Sequence, residues 1–244
     1  MQEEKILQKK LQGLTPEEQA ELLQLEESVE LEKAKPNIIG NFLSFVKYVW
    51  PEFIEGSHHK IINKKFNDLA NGKIKRLIIN MPPRHTKSEF ASYLLPAWMI
   101  GKDPRLKIIQ ATHTADLAID FGRKTKNLVD QSNYRELFQT RLQEDSKAAG
   151  KWKTEQGGEY FAAGVGGAIT GRGANLLIID DPHKEQDIKK DSKAFDKAMS
   201  WYTSGPRQRL QPGGAIVVVM TRWSTKDITG QLLKAQTEEG SDQW

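Results

Sequence analysis

The sequence predicts an α/β fold with a mostly parallel central sheet, helices on its faces and a helical arm at the N-terminus. Short, nearly continuous apolar runs occupy residues 77–79, 108–109, 176–179 and 216–219. Such runs are typical of strands that are buried on both faces, as in a parallel sheet. Helical patterns lie between them over residues 88–100, 114–129 and 189–202. Strands that alternate with helices indicate an α/β architecture.

The segment before the first strand is predicted to be helical. Residues 1–12 carry Ile6, Leu7 and Leu11 at helical spacing, and a second helix starts at Thr15, where Pro16 suits the first turn and Glu18 completes a capping box. The helical pattern runs to a proline at position 36. We expect an N-terminal helical arm over residues 1–38, and a phosphate-binding domain over residues 39–244 that opens with helices near residues 42–50 and 61–69.

Composition excludes several classes of protein. The 244 residues are 38% hydrophobic and 28% charged, which suits a polar globular chain. Cysteine is absent, which excludes disulfides, thiol nucleophiles and cysteine-bound metal. There is no apolar run of about 18 residues, so no membrane span is predicted. The charged start MQEEKILQKK is unlike a secretory signal, and a net charge of +4 permits a polyanionic partner without requiring one.

The segment NMPPRHTKS, residues 80–88, follows a predicted strand and opens a predicted helix, which is the context of a phosphate-binding loop (Walker A). Lys87 would reach the β- and γ-phosphates, and the Ser88 hydroxyl would bind Mg²⁺. The predicted nucleotide-binding residues are Pro83, which shapes the turn, and Arg84, His85, Thr86, Lys87 and Ser88, whose backbone N–H groups would face the phosphates.

This loop departs from the pattern G-x-x-x-x-G-K-[ST] at both glycines. Met81 replaces the first and Thr86 the second. If position 86 requires a positive φ, a β-branched residue costs roughly 1–2 kcal/mol there, and Thr86→Gly would be expected to tighten nucleotide binding. Taken alone, an ordinary strand-to-helix loop explains the segment about equally well.

Two carboxylates end the apolar run LLIIDD, residues 176–181. Ligands of open α/β sheets bind at the carboxyl ends of the strands, so this is the place for a metal-binding acid (Walker B). Asp180 would hold Mg²⁺ opposite Ser88, and Asp181 would orient or deprotonate the attacking water. The alternative is that Asp181 and the proline after it only begin a turn.

Two further segments carry candidate residues. The run GGAIVVVMTRW, residues 213–223, ends in Thr221 and Arg222, polar groups that could sense a γ-phosphate. The glycine-rich segment GVGGAITGRG, residues 164–173, carries Arg172. An exposed arginine on a mobile loop could stabilise a transferring phosphoryl group, as an arginine finger does. A surface hairpin with a solvated arginine is the alternative.

Together these segments resemble the ATPase domain of the large terminase subunit of tailed double-stranded DNA bacteriophages. The likeness rests on MPPRHTKS, GVGGAITGRGANLLIIDDPHK and GGAIVVVMTRW, with weaker similarity in FVKYVWPEF, HHKII and KWKTEQGGEYF. These segments span about residues 40–235 in the order and spacing of that family.

The resemblance implies a P-loop NTPase of the ASCE type, in which an extra strand, here about residues 215–221, lies between the phosphate-loop strand and the acidic strand. It implies ATP and Mg²⁺ as cofactors, and Thr221 as part of the coupling motif. Arg172 would be a finger that acts on a neighbour's ATP, and Arg84 is a competing candidate. We expect the adenine pocket to form from residues 50–59.

The resemblance also implies partners and a place of action. These are double-stranded DNA, the portal protein, the small terminase subunit and a homo-oligomeric ring, of five subunits when assembled, although the isolated chain could be a monomer. The site of action would be the host cell cytoplasm. Family members also carry a nuclease domain, which we expect to be absent from this chain. The alternatives are another nucleic-acid-dependent, helicase-like ATPase or a hydrolysis-deficient scaffold.

The remaining polar residues are less informative. His58 and His59 fit the family pattern, but adjacent histidines are more often structural than ligands. Glu185 and Asp187 are interpreted as solvated. A basic cluster could contact DNA or simply face solvent; it comprises Lys60, Lys64, Lys65, Lys73, Lys75 and Arg76.

Overall fold

A computed structural model describes residues 14–146, 148–169, 171–183 and 193–244. The α-helices are α1 Pro16–Gly40, α2 Phe42–Val49, α3 Ser57–Ala70, α4 Leu95–Lys102, α5 Ala115–Val129, α6 Ser132–Leu137, α7 Ala194–Ser204 and α8 Ile228–Ala235. A π-helical segment Glu89–Leu94 leads directly into α4, and a 3₁₀ turn Pro206–Arg209 precedes the last strand. The strands are β1 Arg76–Asn80, β2 Lys107–Thr112, β3 Lys151–Lys153, β4 Glu159–Gly164, β5 Ala174–Asp180 and β6 Leu210–Met220.

The strands form one six-stranded sheet in the order β1-β6-β5-β2-β4-β3. All neighbours are parallel except β3, which runs antiparallel to β4. This confirms the predicted α/β class. The last strand, β6, lies between β1 and β5, with Val218 opposite Ile78 on one side and Ile179 on the other. The strand order expected of an ASCE-type ATPase is therefore present.

Both faces of the sheet are buried, which explains why the strands read as continuous apolar runs. Leu176 and Ile178 contribute to the hydrophobic cluster on one face, and Leu177 and Ile179 contribute to the cluster on the other. Because successive side chains point to opposite faces, a strand that is buried on both faces needs apolar residues at nearly every position. Helix α4 supplies a fully buried Trp98 to the first of these clusters.

The arm helix begins as predicted. The Thr15 hydroxyl accepts from the Glu18 N–H, and the Glu18 carboxylate accepts from the Thr15 N–H at 2.8 Å. The helix does not stop at Pro36 but continues to Gly40, and Ile38 is buried in the main core. Burial of this last turn outweighs the one hydrogen bond that a proline removes. The predicted helix over residues 1–12 lies outside the described residues.

The other differences concern short elements. Strands β3 and β4 were not predicted, although Trp152 and Tyr160 face each other across them with stacked rings 5.0 Å apart. For the helix predicted over residues 189–202, the described residues begin at 193, and α7 covers Ala194–Ser204. Glu185 and Asp187 lie outside the described residues. Within the described ranges, no helix combines the length and apolar character that a membrane span requires.

Candidate nucleotide-binding site

The predicted phosphate loop joins β1 to the π-helical segment at the carboxyl edge of the sheet. Its tip is exposed, whereas Lys87 is buried, with 8% of its surface accessible. Arg84 and Thr86 both have left-handed backbones, with φ of 63° and 59°. The positive φ that a glycine would ordinarily supply at position 86 is therefore adopted by a threonine.

Lys87 and Asp181 meet at the centre of this edge. The Lys87 Nζ lies 2.6 Å from the Asp181 Oδ2. The other carboxylate oxygen of Asp181 accepts a hydrogen bond from the Thr221 N–H at 2.8 Å, and the Asp181 N–H donates to the Val219 carbonyl. Asp181 has a φ of 40°, an unusual backbone that is fixed by β6 on one side. The carboxylate is thus held in one position, with one oxygen occupied by the lysine.

Asp180 lies one residue earlier and is almost fully buried. The Ser88 hydroxyl donates to its Oδ1 at 3.1 Å, and the Ser92 hydroxyl donates to its Oδ2 at 2.7 Å. The Gln110 amide donates in turn to the Ser92 Oγ at 2.9 Å. Burial raises the pKa of Asp180 to about 6, an effect that the Ser92 hydrogen bond partly opposes.

These residues fit a magnesium ion. Ser88 Oγ and Asp180 Oδ1 converge, and both are the hard oxygen ligands that Mg²⁺ takes in nucleotide sites. Among the residues that the structure describes, no group of three or more histidine or acidic side chains could hold a metal ion. In nucleotide sites Mg²⁺ is usually held by one or two protein ligands together with phosphate oxygens and water.

Thr221 connects the acidic strand end with the phosphate loop. Its hydroxyl donates to the Met81 carbonyl at 3.3 Å, and the Met81 N–H donates to the Met220 carbonyl at 3.2 Å. Arg222 turns away from the site instead, and its Nε pairs with the buried Asp227 at 2.9 Å. Of these two polar residues that follow β6, Thr221 is the one joined to Asp181 and the loop.

The two candidate arginine fingers lie at opposite edges of the sheet. Arg84 is exposed on the phosphate loop. Arg172 precedes the first residue of β5, whereas Asp180 is its last. Since a strand rises about 3.3 Å per residue, the two ends of β5 are separated by roughly 20 Å, and Arg172 lies two residues beyond the first end. Arg172 therefore lies far from the phosphate loop of its own chain.

The expectation that Arg172 is exposed is wrong, because its side chain is partly buried. Its guanidinium pairs with the Glu159 carboxylate and lies over the Phe161 ring, 4.0 Å from the centroid. The segment also joins two strands that run parallel to β2, so it is not a hairpin. Strand β4 was not predicted, and with it the partners of Arg172 were missed.

Some residues that shape the site were not identified in the sequence. Ser92 and Gln110 orient Asp180, and the His113 Nδ1 contacts the Asp181 carbonyl oxygen at 3.2 Å. Two signals were available: Ser92 follows Ser88 by one helical turn, and Gln110 interrupts an apolar strand. His59, interpreted as structural, contacts the phosphate loop at Thr86 and lies in the first turn of α3.

The basic cluster near β1 is partly paired. Arg76 contacts Asp242 at 2.9 Å, Lys60 contacts Glu55 at 3.5 Å, and Lys73 contacts Asp68 at 3.6 Å. Contact between this basic cluster and DNA stays a prediction.

Comparison with known proteins finds no matching family model and no matching curated protein. Among solved structures, the chain is similar to the crystal structure of the HK97 bacteriophage large terminase, with 12% sequence identity and a TM-score of 0.48. The match covers 77% of this chain and 38% of that one, so the chain spans well under two thirds of the length of that protein.

Proposed function

We propose that this chain is the ATPase motor domain of a phage large terminase, which couples ATP hydrolysis to the translocation of double-stranded DNA into a procapsid. One observation carries the proposal: Lys87, Ser88, Asp180 and Asp181 meet within hydrogen-bonding distance although the two pairs are separated by 92 residues in the chain. The residues that the motifs single out therefore form one constellation with the donors and acceptors that phosphoryl transfer needs.

The lysine has two partners in this scheme. In the structure, its ammonium neutralises Asp181, with Nζ 2.6 Å from Oδ2. When a triphosphate enters, Lys87 and the loop N–H groups bind the phosphate oxygens. The lysine then leaves Asp181 Oδ2 free, while Oδ1 stays bonded to the Thr221 N–H. That oxygen can accept a hydrogen bond from a water molecule aligned with the γ-phosphorus.

Ser88 and Asp180 would hold Mg²⁺. When bound, the ion would supply positive charge to the phosphate oxygens as negative charge develops on the leaving group. The buried Ser92 and Gln110 keep the Asp180 carboxylate in one orientation. Thr221 transmits the state of the loop to β6 through its bond to the Met81 carbonyl.

A finger from a neighbouring subunit would complete the site. Arg172, which precedes β5 at the end opposite its own Asp180, is the candidate for action between subunits. Arg84 is the candidate within a subunit. Known fingers contribute on the order of 10³–10⁵ in rate. The proposed partners are double-stranded DNA, the portal protein, the small terminase subunit and a ring of copies of this chain, and the proposed place of action is the host cytoplasm.

The experiment measures phosphate release by the assembled protein with double-stranded DNA, and nucleotide binding by the isolated chain. Lys87→Ala and Asp181→Ala should each abolish DNA-stimulated release while the circular dichroism spectrum stays unchanged. Lys234→Ala and Asp196→Ala, at exposed positions on α8 and α7, serve as matched controls and should retain activity. Full turnover by either site variant would refute the assigned role. Nucleotide binding with no release under any condition would favour a hydrolysis-deficient scaffold.

A further inference from the structure

The phosphate loop contains a threonine in a backbone conformation that threonine seldom adopts. Thr86 has a φ of 59°, in the left-handed region that disfavours side chains with a branched Cβ. Its carbonyl accepts a hydrogen bond from the Phe90 N–H at 2.9 Å, so this residue also begins the helix that follows the loop. A residue held in this way requires surrounding contacts that fix it.

The buried His59 supplies such a contact. Its Nε2 lies 2.6 Å from the Thr86 Oγ1, and its Nδ1 accepts a hydrogen bond from the Gly56 N–H at 2.8 Å. Because a backbone N–H can only donate, the proton of a neutral ring must be on Nε2. His59 therefore donates to the Thr86 hydroxyl. That hydroxyl donates to the His85 carbonyl at 2.6 Å, so the chain of hydrogen bonds ends within the loop itself.

The ring of His59 has little freedom to move. Only 4% of the residue is exposed. It packs edge-on against Phe53, with 4.8 Å between centroids, and at a tilt against Phe90, with 4.9 Å between centroids. Burial, together with the neighbouring His58, lowers the pKa of His59, which keeps the ring neutral and its Nδ1 able to accept.

We propose that His59 is a positioning residue of the phosphate loop, whose Nε2–H holds Thr86 in the left-handed conformation that a glycine would adopt unaided. The inference rests on the proposed function, since it assigns His59 a role in nucleotide binding. It predicts that His59 and Thr86 act as one unit. His59 should matter when position 86 is threonine and should become dispensable when position 86 is glycine.

The same geometry changes the expectation for Thr86→Gly alone. The contacts with His59 and with the His85 carbonyl support the positive φ of Thr86. The fold itself therefore holds the conformation that glycine would otherwise supply. We expect this variant to bind nucleotide within about threefold of the wild type, because no net hydrogen bond to the ligand changes.

The test is a double-mutant cycle on the isolated chain, with the dissociation constant of an Mg²⁺-bound ATP analogue measured by calorimetry. His59→Ala should weaken binding by about three- to tenfold with threonine at position 86, and by less than about twofold with glycine there. His59→Gln can still reach the threonine hydroxyl and should restore most of the affinity. His59→Asn can accept from Gly56 but is too short to reach Thr86, and it should not.

A role confined to packing gives a different result. His59→Ala would then weaken binding equally in both backgrounds, and that outcome overturns the proposal. If the wild-type chain binds no nucleotide, the proposed function fails, and the contact is tested by hydrogen exchange at the Phe90 amide, which bonds to the Thr86 carbonyl. His59→Ala should speed that exchange about three- to tenfold in the threonine background only. Unchanged exchange there also overturns the proposal.

Discussion

Replacing Ser92 with alanine removes the hydroxyl that orients Asp180. The hydroxyl donates to the buried carboxylate at 2.7 Å and accepts from the Gln110 amide at 2.9 Å. A hydrogen bond to a charged group contributes about 1.5–3 kcal/mol, and a buried donor left without an acceptor costs about 1–3 kcal/mol. Because one hydroxyl serves both bonds, these values do not simply add. We expect the free energy of unfolding to fall by about 3 kcal/mol.

The assay is urea unfolding followed by the fluorescence of the chain's six tryptophans. Ser204→Ala is the matched control, because that exposed hydroxyl bonds only to the Ser200 carbonyl, and its change should stay within about 0.5 kcal/mol. The double variant Ser92→Ala/Gln110→Leu removes the stranded amide as well. It should be about 1 kcal/mol more stable than Ser92→Ala alone, since replacing both partners with apolar groups avoids the unpaired donor.

The reasoning fails if Ser92→Ala unfolds at the urea concentration of the wild type. It also fails if the double variant has a lower free energy of unfolding than Ser92→Ala, as expected when a second core residue is replaced with no compensating gain. In the first case the contact between Ser92 and Asp180 would have no energetic weight, and Asp180 would owe its orientation to the strand and to Ser88. In the second case the Gln110 amide would not be a stranded donor in Ser92→Ala.

Three further predictions concern pH, capping and the finger. The Ile228 N–H donates to His183 Nε2, and burial lowers the pKa of His183 from 6.5 to about 4. As pH falls from about 6.5 to 4, the wild type should therefore lose up to about 3 kcal/mol of unfolding free energy relative to His183→Gln. If urea unfolding gives both proteins the same dependence of unfolding free energy on pH, the prediction is contradicted. Asp227→Ala removes a buried helix cap and should lower the unfolding free energy by about 2 kcal/mol in the same assay, against a change under about 0.5 kcal/mol in an exposed acidic control. Mixed oligomers of Arg172→Ala and Lys87→Ala subunits should regain DNA-stimulated phosphate release, because an intact arginine then faces an intact loop; no gain over either variant alone would argue against action between subunits.

Strands β1, β2, β5 and β6 and the meeting of the site residues were predictable from the sequence for one physical reason. Parallel strands are buried on both faces, so they appear as apolar runs, and their carboxyl ends share one edge. The residues that follow the apolar run 77–79 are therefore expected beside those that follow the run 176–179. The insertion of β6 between β1 and β5 followed from the family resemblance and is confirmed by the strand order.

The contacts that depend on side-chain packing were not predictable in this way. The bond from His59 to Thr86 joins residues 27 positions apart and exists only because α3 packs beside the loop. Arg172 appeared exposed because β4, which carries its partner Glu159, has mixed and small residues that give a weak strand pattern. Sequence periodicity identifies elements, whereas hydrogen bonds across elements depend on how those elements are arranged.

The central claim is that a lysine–serine loop and two strand-end carboxylates bind one metal-bound triphosphate. A structure of the assembled protein with a non-hydrolysable ATP analogue and Mg²⁺ tests it most directly. We predict that Lys87 Nζ leaves Asp181 for the phosphate oxygens, that the ion lies between Ser88 and Asp180, and that one arginine approaches the γ-phosphate. An analogue bound elsewhere, with Lys87 still paired to Asp181, would contradict the claim.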